Sequence, residues 1–248
     1  MKVVFHNDFY QVYTSDPAAA AGRMEAIVEA IKDDVIFVEA QPALEAHIAA
    51  VHSGLHIESV RQMGLYEISA LAAGGAVRAA EIGLLEPSFG LVRPPGHHAS
   101  TNSSWGFCYF NNIAIAIEAL KRAKKIETAF VLDIDLHYGD GTVNILGKHD
   151  YVTICNVEAR DQKSYMDVVT TELASCTADI IGVSAGFDNH QQDWGGLLST
   201  ENYREIGEKV RQAARRCEGG CFGVLEGGYN HRVLGENVMA FLKGLSGG

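Results

Sequence analysis

Three things are missing from this 248-residue chain, and each narrows what it can be. It has no Cys-x-x-Cys pair. Its five cysteines are scattered and odd in number, so neither a thiolate zinc cluster nor a disulfide framework follows. It has no apolar run long enough to span a bilayer, and residues 1–6 read as a strand rather than a signal peptide. It has no excess of basic charge: 20 Lys and Arg stand against 31 Asp and Glu, a net charge of -11. That argues against a general nucleic-acid binder, whose footprint would be basic, and leaves room for a cationic substrate. Tandem repeats, linkers and low-complexity tracts are absent as well. The expectation is one soluble, cytoplasmic domain over residues 1–248, with no membrane and no nucleic-acid partner.

What is present is a chain 47% hydrophobic, enough to bury a sizeable core. Short β-branched or aromatic runs predict strands at residues 2–5, 35–38, 89–92, 128–132, 151–155, 180–183 and 222–225. Apolar residues at helical spacing predict helices at 22–31, 43–51, 69–85, 111–123 and 166–173, from Ser199 or Thr200 to about Arg216, and at 234–245. Residues 7–20 read as a loop. Strands alternating with helices imply an α/β fold with a mainly parallel sheet covered on both faces.

Residues 131–142 read Val-Leu-Asp-Ile-Asp-Leu-His-Tyr-Gly-Asp-Gly-Thr. Asp133, Asp135 and His137 occupy alternate positions, which an extended chain projects to one side. Two carboxylates and an imidazole are a reasonable set for a divalent metal. A strand followed by a Gly-rich turn, with Asp140 as a helix cap, explains the same residues without a metal. Three other strands also end in unusual loops: Arg93-Pro-Pro-Gly-His97-His98, Ala185-Gly-Phe-Asp188 and Glu226-Gly227-Gly228-Tyr229. In open α/β sheets the ligand site lies outside the carboxyl ends of the strands, so these loops can converge. Singly, Asp188 is a plausible cap and Tyr229 a plausible core lid. Phe107 and Trp194 read as wall or core, and Arg23 as a surface cation or an anion-facing one.

Taken together and in order, Arg93-Pro-Pro-Gly-His-His-Ala99, Gly106-Phe-Cys108, Asn111-Asn112, Asp133-Ile-Asp-Leu-His137, Gly139-Asp-Gly-Thr142, Gly186-Phe-Asp188 and Glu226-Gly-Gly-Tyr229 resemble the zinc-dependent histone deacetylase and acetylpolyamine amidohydrolase superfamily. The similarity spans nearly the whole chain. It implies a three-layer α/β/α sandwich of the arginase-deacetylase kind, and hydrolysis of linear amides such as acyl-lysine or acetylpolyamine. By this resemblance Asp135, His137 and Asp188 would ligate zinc, or iron(II) through the same donors. His97 and His98 would be the catalytic histidines, supported by Asp133 and Asp140 respectively. Tyr229 would polarise the carbonyl, and Gly106, Phe107, Gly227 and Gly228 would line the substrate pocket. A potassium ion near residues 133–137 and an arginine near an internal cavity, matched here by Arg23, are also implied. The partner would be the acylated amine, and a homo-oligomer remains open.

Two departures bear on specificity. Tyr138 stands where many members have a second histidine, and residues 157–162 replace a longer loop that carries an aromatic wall of the substrate tunnel. A more open pocket is expected, with Phe107 the wall aromatic retained. Two rivals stay in play. A binuclear, manganese-dependent arginase-like hydrolase is weakened because the chain lacks an Asp-x-His-x-Asp run. A non-catalytic acyl or amine binder is weakened because it needs no acid/base pair.

Overall fold

The structure is a computed structural model and describes residues 1–247. Seven strands form one sheet: β1 (Lys2–Phe5), β2 (Ile36–Glu39), β3 (Ser88–Gly90), β4 (Ala129–Asp133), β5 (Val152–Asn156), β6 (Ile180–Ala185) and β7 (Gly220–Leu225), in the order β2-β1-β3-β7-β6-β4-β5. Each of the six neighbouring pairs is parallel. The sheet is therefore wholly, not mainly, parallel. The four strands that end in unusual loops, β3, β7, β6 and β4, are consecutive in the sheet. Their register brings those ends level: Asp133 pairs with Ser184, and Ser184 with Val224.

Helices cover both faces. α1 (Arg23–Ile31), α2 (Glu45–Ile48), α3 (Gly54–Gln62), α4 (Tyr66–Gly83), α5 (Asn112–Arg122), α6 (Asp140–Leu146), α7 (Gln162–Ser175), α8 (Thr200–Arg216) and α9 (His231–Ser246) follow in chain order. α4 lies against β1, β3 and β7 with α5 beside it, whereas α8 packs on β6 and β7 and contacts both α7 and α9. Fully buried aliphatic side chains such as Val3, Ile117, Val131, Ile181 and Leu225 fill the core, each worth roughly 1.5–3 kcal/mol of transfer free energy.

Sequence and structure part in several places. Residues 7–20 are not a plain loop but hold two short 3-10 turns, Asn7–Tyr10 and Pro17–Ala19. α2 covers only four residues of the expected 43–51 helix, while α3 and α6 were not expected. α3 is capped by Ser53, whose hydroxyl accepts from the His56 amide at 3.3 Å, a short signal easily overlooked.

One buried residue ties this scaffold to the loop that follows His98. His52 Nδ1 lies 2.9 Å from the Ser100 carbonyl, and Nε2 accepts from the Asn111 amide at 2.9 Å. The pair of bonds requires the neutral ring with its proton on Nδ1. Burial, and then the nearby His56, push the His52 pKa down to about 3. An unfolded histidine titrates near 6.5, so this stability is fully present above that value. It drains as pH falls from there toward the folded pKa, at up to about 1.4 kcal/mol per unit. His52→Gln should have a shallower loss of unfolding free energy than the parent between about pH 7 and about pH 5. Equal slopes in denaturant titrations at those pH values would refute the assignment.

Candidate metal centre and its surroundings

Strand β4 ends at Asp133, so alternation of faces cannot place Asp135 and His137. Carboxylate-to-backbone bonds place them instead. Asp133 Oδ1 accepts from the Asp135 amide at 3.1 Å, and Asp135 Oδ1 accepts from the His137 amide at 2.9 Å. These local turns aim Asp133 at His97, and Asp135 and His137 at Asp188. The expectation of three ligating groups on one strand face is thus corrected: Asp133 faces a different partner.

Asp135, His137 and Asp188 each offer a ligand atom within 4.8 Å of the others. Asp188 is fully buried, and its Oδ1 accepts from the Leu136 amide at 3.0 Å. Its Oδ2 lies 3.2 Å from His137 Nδ1, yet is not aligned for a hydrogen bond and is left without a partner. An orphaned buried carboxylate oxygen beside an imidazole nitrogen and a second carboxylate fits a divalent cation. Burial, then the charge of Asp135, push Asp188 up to about 6, while the Asp135 carboxylate and then the nearby Asp188 carboxylate raise His137 to about 10. Both shifts describe a site with more negative charge than its own protons balance. His137 is about a third exposed and lines the cavity.

Beside this set stand two histidine-carboxylate pairs. His97 Nδ1 lies 3.0 Å from Asp133 Oδ2, and His98 Nδ1 lies 2.8 Å from Asp140 Oδ1. The two rings are 4.0 Å apart between centroids. Their electrostatics diverge. Burial opposes the charge on His97, but Asp135 and Asp133 outweigh it and raise its pKa well above the ordinary value. Burial, then the charge of His97, lower His98 to about 4, against its bond to Asp140. Asn111 holds the assembly from behind: its Oδ1 caps α5, and its Nδ2 donates to the Ala99 carbonyl and to Thr142 at 3.0 and 3.1 Å.

Tyr229 leans over the opening. Its ring stacks on Trp194 with centroids 4.0 Å apart, meets Phe107 edge-on at 6.0 Å and lies 5.6 Å from the Arg23 guanidinium. Among the described residues no group takes its hydroxyl. Burial, then Asp135, push its pKa upward, so the hydroxyl keeps its proton. Arg23 itself is fully buried, donating to the Glu226 and Gly228 carbonyls at 2.6 and 2.9 Å, which overturns the surface reading.

A cavity of about 270 Å³ joins these groups, lined by Pro95, Trp105, Gly106, Phe107, Trp194 and Gly227 among others. Gly228 does not line it. Its carbonyl faces Arg23, and a Cβ there would meet Leu234 and Phe187. Gly106 is required on the wall: its φ is +58°, and a Cβ would strike the His98 ring. Phe107 follows at φ +67°, an uncommon conformation for a bulky residue and one often seen at working sites.

Sequence reasoning missed three residues here. Trp105 is 56% exposed, stacks on His98 at 3.8 Å, and donates its indole N–H to Asp140 at 3.0 Å. Asp193 accepts from the Tyr229 and Asn230 amides at 2.8 and 2.7 Å and so fixes the tyrosine loop. Glu226 binds the Gly96 and His97 amides at 2.6 and 3.2 Å. Trp105 precedes Gly106 directly, the one signal that could have marked it. Phe107 is therefore not alone on the wall: Trp105 and Trp194 stand beside it.

Comparison with known proteins agrees with this geometry. The histone deacetylase domain profile matches residues 18–165 and 157–245. A probable deacetylase of Methanothermobacter thermautotrophicus is 30% identical over 305 residues, covering 99% of this chain and 91% of the relative. Because that match is longer than the chain, the relative carries insertions that this protein lacks. A histone deacetylase-like amidohydrolase of Pseudomonas aeruginosa is 29% identical, covering 84% of this chain and 70% of its own. The crystal structure of the HDA15 HD domain superposes with a TM-score of 0.86 at 22% identity, over 99% of this chain and 89% of that one, which establishes a common fold. With a domain profile matching most of its length and a relative alike from end to end, the chain belongs to the histone deacetylase domain family.

Proposed function

We propose that the protein is a metal-dependent amidohydrolase that removes an acyl group, acetyl in the first instance, from an amine such as acyl-lysine or an acetylpolyamine. The reading rests on one observation: His137 of an Asp/His/Asp donor set lines the same cavity as Tyr229 and as His97 and His98, each of which is paired with a carboxylate. A non-catalytic binder would have no use for two such pairs.

Zinc is the ion that family membership and the donor set favour, with iron(II) served by the same atoms. A divalent ion bound by Asp135, His137 and Asp188 would supply Lewis acidity, polarising the amide carbonyl and making a water acidic enough to attack. His98, kept neutral, accepts a proton through Nε2, while Asp140 holds its Nδ1–H and fixes the tautomer. His97, drawn toward its cation by Asp135 and Asp133, returns a proton to the leaving amine. Tyr229 donates to the oxygen on which negative charge develops. Trp105 and Trp194 flank the approach and replace part of the wall that the short 157–162 segment does not supply.

Tyr229→Phe keeps the ring and its stacking, and removes only the donor. Its kcat should fall about 10²- to 10³-fold with KM little changed, while metal content and melting temperature stay at parental values. A kcat within about threefold of the parent, at full metal content, would remove Tyr229 from the central step.

Gly227→Ala places a methyl group 2.5 Å from Asp188 Oδ2 and 2.6 Å from Asp135 Oδ2. The variant should fold and yet lose most of its tightly held metal by elemental analysis. Undiminished metal content would show that these oxygens do not ligate.

Trp105→Phe leaves an aromatic face on His98 and deletes the indole bond to Asp140. On a panel of acylated lysine peptides and acylated polyamines, it should reduce kcat for all substrates by a common factor, whereas Trp194→Ala should alter their ranking through KM. The opposite pattern would reassign the two rings.

A further inference from the structure

A second group of potential ligands lies behind the first. His97, Cys108 and Glu226 are all buried, and each presents a ligand atom within 4.8 Å of the others. They come from three separate segments: the loop after β3, the stretch before α5, and the loop after β7. Glu226 is fully buried, with one carboxylate oxygen accepting from the Gly96 and His97 amides. The other oxygen, Oε1, has no partner at all. An unpaired buried acceptor is costly, so its retention calls for a cause. Cys108 is 2% exposed, its thiol donates weakly to the Gly106 carbonyl at 3.5 Å, and the His98 backbone lies against its sulfur. Burial, then the charge of Glu226, raise the Cys108 thiol well above its ordinary range, and burial lifts Glu226 to about 7. A cation placed among them would reverse both penalties.

The imidazole is equally prepared. His97 Nδ1 is committed to Asp133, as the outer nitrogen of a metal-bound histidine commonly is to a carboxylate, and Nε2 remains free to ligate. Nε2 lies 3.7 Å from Asp135 Oδ1, so the two donor sets are immediate neighbours. Their chemistry differs. The first set offers only oxygen and nitrogen, whereas the second adds sulfur, which favours zinc and other thiophilic ions and disfavours magnesium and calcium.

We propose that His97, Cys108 and Glu226 form a second, weaker site for thiophilic divalent cations, and that filling it inhibits the enzyme. Binding releases the Cys108 proton to solvent, forms a metal–thiolate bond, and occupies the Nε2 lone pair of His97. The binding claim stands on these three residues alone. The inhibitory claim rests on the amidohydrolase reading, in which His97 must give up a proton.

Cobalt(II) added to the metal-free protein separates the two. The first set contains no sulfur, so a thiolate-to-cobalt charge-transfer band in the near ultraviolet that depends on Cys108 marks the second. That band should be absent during the first equivalent and appear with the second, and it should vanish in Cys108→Ser, whose visible cobalt bands from the first set persist. Zinc above one equivalent should inhibit the parent, and Cys108→Ala should retain activity at one equivalent while needing about tenfold or more excess zinc for the same inhibition. In Glu226→Gln, which keeps an acceptor for the Gly96 and His97 amides, the sulfur band should need about tenfold or more cobalt to appear. No sulfur band at any cobalt excess, or zinc inhibition unchanged in Cys108→Ala, overturns the proposal. A sulfur band in a protein that hydrolyses none of the panel would uphold the site and discard the amidohydrolase reading instead.

Discussion

Buried carboxylates at one end of the sheet are the constraint on which the rest of the structure depends. Asp133, Asp135, Asp188 and Glu226 are each no more than 4% exposed. Anions removed from water are tolerated only when paired or hydrogen-bonded. Here the protein answers with backbone amides, of Asp135, His137, Leu136, Gly227, Gly96 and His97, and with the imidazoles of His97 and His137. Much of the irregular backbone after β3, β4 and β7 is what those bonds require. What stays unanswered, one oxygen on Asp188 and one on Glu226, marks the two places where a cation would complete the balance.

The parallel sheet concentrates this demand. β3, β7, β6 and β4 are neighbours, so loops separated by up to 130 residues in sequence, as Gly96 and Glu226 are, meet across a few ångströms. Neighbouring strands about 4.8 Å apart leave little room for side chains between those loops. That crowding explains the glycines at the junctions: a Cβ at Gly227 would enter the space of two carboxylates, and one at Gly106 that of His98.

The elements of the sheet were legible because their apolar runs are short, β-rich and bounded by turn residues. The candidate site was legible through its clustered Asp, His and Gly at strand ends, and the structure gathers Asp135, His137 and Asp188 in one place and His97 and His98 beside it. Other features were not legible, for identifiable reasons. α6 hid within a Gly-rich segment, because Gly139, Asp140 and Gly141 signal a turn before they signal a helix start. The burial of Arg23 depends on carbonyls of Glu226 and Gly228 some 200 residues away, which no local pattern reports. Trp105 carries no periodicity and sits in a loop among Phe107, Tyr109 and Phe110, which offer no spacing to single it out. Alternation of faces grouped 133, 135 and 137 on one side, whereas the strand stops at Asp133, which turns to His97, and only Asp135 and His137 join Asp188.

The turn at 193–194 does two things at once. Asp193 grips the amides of Tyr229 and Asn230, while the next residue, Trp194, lies flat against the Tyr229 ring. On the proposed mechanism aperture and chemistry are therefore one mechanical part: whatever a bound guest does to the indole is felt by the phenol. An engineer who widened the doorway here to admit bulkier guests would retune the reaction with the same stroke, and a lineage exploring new substrates through this turn would face the same coupling.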